Sequence, residues 1–123
     1  RIVNVASISG LVAFQRVAAY TASKHGVIGL TKVVALETAA HGVTVNAVCP
    51  GYTETDIVRT SIDNIVAKTG RTPEAALKEL VAGNPQGRLV QPWEVAEAVA
   101  WLVLPSSGAI TGLAVPIAGG EVM

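Results

Sequence analysis

Two short β-branched apolar runs, each cut off by turn residues and separated by a long helical stretch, restrict this chain to a narrow set of folds. The first, Arg1 to Ala6, stops at Ser7-Ile8-Ser9-Gly10, and the second, Thr44 to Cys49, stops at Pro50-Gly51. Near-continuous apolar runs of this length read as strands buried in a parallel sheet. Parallel neighbours cannot be joined by a hairpin and need a crossover, usually a helix. The residues between the two runs supply one, from about Val17 to Ala40, with Gly42 as its C-terminal stop. Its apolar positions Val27, Leu30, Val33, Val34 and Leu36 make more than one narrow stripe, so this helix is expected to be covered on two sides.

The rest of the chain continues the alternation. From Thr53 to about Asn84 the pattern becomes two short helices, one around Asp56 to Lys68 and one opened by Thr72-Pro73-Glu74 and closed by Gly83. A further helix begins after Gln91-Pro92, runs through Trp93, Val95, Val99 and Leu102, and stops at Pro105; Leu113 to Ile117 reads as the last strand. The expected fold is α/β, in β-α-β-α-β order, as one domain over residues 1–123. Half of the residues are apolar and 15% are charged, which suits a globular chain with a buried core.

Composition also narrows the partners. Net charge is zero and no basic run exists, which argues against nucleic acid or an anionic membrane surface. The apolar stretches are interrupted well before the roughly 20 residues of a membrane span. The single cysteine, Cys49, rules out an internal disulfide and suits a cytoplasmic setting; at a buried strand end it is expected to be inert. His25 and His41 have no metal-spaced partners, and no metal site is expected.

Open parallel sheets bind ligands beyond the carboxyl ends of their strands, where Ser7 and Pro50-Gly51 fall. Tyr20 and Lys24 stand one helical turn apart on a shared face. A free phenol ionises near pH 10, and a neighbouring cation lowers that value, so the pair reads as a tuned general acid or base. Ser7 would hold a substrate carbonyl or alcohol oxygen and stabilise charge developing there. Asn46 is expected to order its strand or the neighbouring loop.

The segments Ile2-Val3-Asn4-Val5-Ala6-Ser7, Tyr20-x-x-x-Lys24, Asn46 to Thr55 with Pro50-Gly51 at its centre, and Ile110-Thr111-Gly112 with Gly119-Gly120 together resemble the C-terminal half of short-chain dehydrogenases/reductases. The likeness covers essentially the whole chain. It implies the C-terminal half of a Rossmann-like doubly wound parallel sheet, with NAD or NADP as cofactor and hydride transfer between the nicotinamide and a secondary alcohol or ketone. By the same resemblance Ser7, Tyr20 and Lys24 are catalytic, and Tyr20, Lys24, Pro50, Gly51 and Thr53 touch the cofactor. Residues from about 53 to 90 form a substrate lid, and the enzyme assembles as a dimer or tetramer of identical subunits. The small-molecule substrate is expected to be of 3-oxoacyl or 3-hydroxyacyl type.

Two features depart from the complete family pattern. No glycine-rich turn links a first strand to a helix; Gly119-Gly120 falls at the wrong end of the chain. With Arg1 opening directly into a strand, the resemblance implies that the half carrying the cofactor-phosphate turn lies outside this sequence. Ala118 also stands where the family usually has aspartate. The competing reading is a non-catalytic oligomerisation module or inactive remnant of the same fold, because the long helix and the last helix-strand unit resemble the family's assembly surfaces.

Overall fold

Three parallel strands form the frame of the computed structural model, which describes residues 1–123. They are β1 (Ile2–Val5), β2 (Val45–Pro50) and β3 (Ala114–Ile117), in the spatial order β1-β2-β3. Val3 pairs with Asn46 in one ladder and Val48 with Val115 in the other. The first crossover is α1 (Ala18–Thr38), which tightens into a 3₁₀ turn and ends at Gly42 in the left-handed conformation, φ 71°. The second crossover carries α2 (Asp56–Thr69), α3 (Pro73–Leu80) and α4 (Pro92–Val103). Both crossovers follow the expected order, and each element lies within two residues of its expected bounds. No helix is long and apolar enough to cross a membrane.

The core sits where α1 meets the sheet. Ala6, Ile28, Ala47 and Cys49 form its buried cluster, with Val27 and Ala114 packed against it. Small residues predominate there, so helix and sheet approach closely. Gly10 takes this furthest, since a Cβ at that position would stand 2.7 Å from the Lys24 carbonyl oxygen. The turn that carries Ser7 therefore rests directly on the α1 backbone.

Two sequence expectations need correction. Only one face of α1 is covered within this chain: Ile28, Thr31 and Ala35 are buried at i, i+3 and i+7, whereas Leu30 and Val33 are exposed and Leu36 is 82% exposed. A single narrow sheet reaches one stripe of a helix. β1 is likewise not a fully buried strand. Within this chain it pairs only with β2, and Ile2 and Val5 are exposed. β-branched composition signals strand geometry without saying how many neighbours the strand has.

Central strand β2 carries a fully buried amide, and its bonds explain the second crossover's return. Asn46 Nδ2 donates to the Ile110 carbonyl at 2.8 Å, and its Oδ1 accepts from the Leu113 N–H at 3.0 Å. Thr111 Oγ1 accepts the Val45 N–H at 3.0 Å, which clamps the same turn onto β2 just before β3. This is the ordering role expected of Asn46.

Two further knots hold the C-terminal half. Asn84 accepts the Gln86 N–H at 2.8 Å and donates to the Arg88 carbonyl at 2.9 Å, folding residues 84–88 into a tight loop. Gly119, at φ 61°, packs against that amide so closely that a Cβ would overlap it. At the start of α4, the Glu94 carboxylate accepts two bonds from the Arg88 guanidinium, at 2.6 and 2.7 Å, and the Gln91 N–H at 2.7 Å. The Arg88 bonds first, then the Gln91 N–H, hold the Glu94 carboxyl down at about 2.

Asn46→Ala should orphan a buried carbonyl and a buried N–H, lowering stability by about 2–4 kcal/mol in urea denaturation, with Tyr20 and Ser7 left in place. The depressed Glu94 carboxyl makes a contribution that is complete above its ordinary value of 4.5 and is lost as pH falls towards about 2. Arg88→Met should therefore flatten the acid limb of the stability curve between about pH 4.5 and 2. Parallel acid limbs for the two proteins would contradict this.

Candidate active site

The carboxyl ends of β1 and β2 open on a cavity of about 380 Å³. Ser7 follows β1 in extended backbone, caps the short turn Ile8–Gly10, and accepts the Ser9 N–H on its Oγ at 3.1 Å. That bond uses an acceptor site and leaves the hydroxyl proton free to donate. Ser7 is almost fully buried, so its rotamer is held by its surroundings and its hydroxyl lines the cavity.

Tyr20 lines the opposite wall from the first turn of α1, half exposed. The Lys24 ammonium lies 5.6 Å from the centre of the Tyr20 ring and donates to the Val5 carbonyl at 3.1 Å. This bond ties α1 to the end of β1. It also fixes a positive charge beside the phenol.

From β2, Gly51, Tyr52 and Thr53 line the cavity, and the Thr53 hydroxyl donates to the Gly51 carbonyl at 3.0 Å. The structure thus brings Ser7, Tyr20, Gly51 and Thr53 to one cavity. Lys24 and Pro50 are not on its wall. Lys24 sits behind the phenol, and Pro50 ends β2 in register with Ile117.

Other wall residues were not singled out in the sequence. Ile57, Val58 and Ser61 face the cavity from α2, and Gln15 and Val17 from the loop before α1. The α2 set had a usable signal, because Ser61 stands four residues from Ile57 and three from Val58, on one helix face soon after Pro50-Gly51. Gln15 lies in a loop with no period, and nothing local marks it.

Cys49 is fully buried beneath the site. Burial pushes its thiol up, against smaller opposing pulls from the Ser7 backbone N–H and the Lys24 charge. Both partners are candidate site residues, yet Cys49 is not part of the cavity lining. No group of three or more His, Cys, Asp or Glu side chains is placed to hold a metal ion.

A sequence profile of the family described as enoyl-(acyl carrier protein) reductase matches residues 1–121. An uncharacterized oxidoreductase of Bacillus subtilis is 46% identical over 122 residues, covering 98% of this chain and 47% of that protein. A D-beta-hydroxybutyrate dehydrogenase of Rhizobium meliloti is 42% identical over 121 residues, with 98% and 47% covered. The crystal structure of an actinorhodin polyketide ketoreductase variant with NADPH superposes with a TM-score of 0.90 at 45% identity, covering 98% of this chain and 46% of that one. The chain spans about half the length of the curated relatives it matches. With the strand order, the cavity at the strand ends and the match over residues 1–121 in agreement, this chain belongs to the enoyl-(acyl carrier protein) reductase family of the short-chain dehydrogenases/reductases.

Proposed function

We propose that the full-length protein containing this chain is an NAD(P)-dependent oxidoreductase that interconverts a ketone and a secondary alcohol. The observation that carries this reading is the meeting of Ser7 and Tyr20 on one cavity wall system, with the Lys24 ammonium fixed against the phenol ring. The ketoreductase with NADPH and the hydroxybutyrate dehydrogenase support it by similarity.

The residues present suit a nicotinamide. Hydroxyls at Ser7, Tyr20 and Thr53 border an apolar patch of Ile8 and Val58, a surface on which a flat polar-edged ring can rest. Pro50, Gly51 and Thr53 would hold its carboxamide side, with Tyr20 and Lys24 near the ribose. When bound, the cofactor supplies or takes up the hydride.

The chain's own part is proton handling and orientation. In reduction, Tyr20 gives its phenolic proton to the carbonyl oxygen, and in oxidation it takes one from the alcohol. The nearby Lys24 charge stabilises the negative charge that builds on the phenol as its proton leaves. Ser7, its Oγ already accepting from Ser9, points its own proton at the substrate oxygen and shares the charge there. Holding both groups on rigid strand and helix ends fixes the reacting geometry.

The segment from Thr53 to Val90 serves as the substrate lid of a Rossmann-like domain whose cofactor-phosphate half lies upstream. A 3-oxoacyl or 3-hydroxyacyl substrate fits the half-apolar wall and the hydroxybutyrate dehydrogenase likeness. The uncovered apolar stripe of α1 at Leu30, Val33 and Leu36 suits assembly into dimers or tetramers. A purely structural module is the weaker reading, because it leaves the convergence of Ser7, Tyr20 and Lys24 unexplained.

Tyr20→Phe in the full-length protein should cut turnover at least about 100-fold, with cofactor affinity, read by NADPH or NADH fluorescence, within about twofold of wild type. Activity within about threefold of wild type would sink the general-acid assignment. Lys24→Ala should weaken both turnover and cofactor binding, and unchanged affinity would limit Lys24 to the phenol.

A further inference from the structure

We infer that Gln91 and Glu54 form a latch that sets the position of the Tyr52–Thr53 cavity wall, making both of them positioning residues for the reduction proposed above, on which this inference rests. The chain leaves β2 at Pro50, passes through α2 and α3, and returns beside its own departure point at Val90. There the two ends of the excursion pair like parallel strands. The Glu54 N–H donates to the Val90 carbonyl at 2.8 Å, and the Val90 N–H to the Tyr52 carbonyl at 2.9 Å.

One side-chain bond closes this junction. Gln91 Nε2 donates to Glu54 Oε2 at 2.8 Å, across 37 positions of sequence. Gln91 is itself anchored, since its backbone N–H donates to the Glu94 carboxylate that Arg88 grips with two bonds. Glu94 belongs to α4, which packs on the sheet. The rigid side of the junction is thus α4 with the sheet. The side being positioned is residues 52–54.

What the latch positions is the active wall. Tyr52 and Thr53 immediately precede Glu54 and line the cavity, and α2, which begins two residues later, adds Ile57, Val58 and Ser61. The other charged groups at the junction are also accounted for. Arg59 reaches Glu54 Oε1 at 3.5 Å and Asp56 at 3.9 Å, and Arg88 is taken by Glu94. The Gln91 bond is the largest pull lowering the Glu54 carboxyl, with Arg59 adding to it, so Glu54 presents a full carboxylate to its amide partner.

A neutral donor at 91 is what the geometry demands. A carboxylate there would face Glu54 across a hydrogen-bond distance and repel it, whereas exchanging the two residues would keep one donor and one acceptor. The test compares Gln91→Glu with the exchange Glu54→Gln/Gln91→Glu in the full-length protein. Near pH 8, Gln91→Glu should raise KM for the ketone about fivefold with kcat within about twofold, and the rise should shrink as the pH is lowered and the carboxylate pair takes up a proton. The exchange variant should recover most of the loss across that pH range.

Amide exchange gives a readout that needs no turnover. The Glu54 and Val90 amides should exchange about tenfold faster in Gln91→Glu near pH 8 and return towards wild type in the exchange variant. Unchanged exchange in Gln91→Glu, or an exchange variant no better than Gln91→Glu, overturns the latch. A wild-type protein that reduces no ketone with either cofactor would instead overturn the proposed function, and the amide rates would still decide whether the latch exists.

Discussion

Strand direction is the constraint from which the site follows. With β1, β2 and β3 all parallel, their carboxyl ends lie along one edge, and each crossover must leave the sheet there. Ser7 lies two residues past β1 and Gly51 directly past β2, so both are delivered to the same cavity without any special loop. α1 then descends against the sheet, and its first turns bring Tyr20 and Lys24 back to that edge. The candidate site sits where the fold has to turn.

Lys24 shows how closely frame and site are joined. Its ammonium donates to the carbonyl that ends β1 and stands over the Tyr20 ring, so one side chain spans helix, strand and phenol. Beneath it, the small residues Gly10, Ala6 and Ala47 allow the close approach on which this reach depends. Enlarging any of them would move the ammonium relative to the phenol before it disturbed the sheet order.

The sequence disclosed what is periodic or punctuated. The two strand runs, the α1 length, the Thr72-Pro73 and Gln91-Pro92 helix starts and the placing of Ser7, Tyr20 and Gly51 at one edge were all legible, because propensity, capping and strand ends act locally. Contacts over long separations were not. Gln91 meets Glu54 across 37 positions, and Asn84, inside the second crossover, meets Gly119, which lies beyond β3. No window short enough to show a period contains both partners. The covering of α1 was legible only in part: Leu30, Val33 and Leu36 declare themselves apolar, but only the neighbouring elements determine which stripe is covered within this chain.

The contact between Gly119 and Asn84 bears on how this sequence can drift. At Gly119 the backbone angle and the space taken by the Asn84 amide both exclude a side chain, so relief of one obstacle leaves the other. Asn84 in turn is committed by its bonds to Gln86 and Arg88 and cannot withdraw without loosening the loop that leads into α4. A side chain at Gly119 would therefore stay strained even beside a smaller residue at 84. The far end of the chain thus locks the loop that leads into α4 through a contact that only glycine can make.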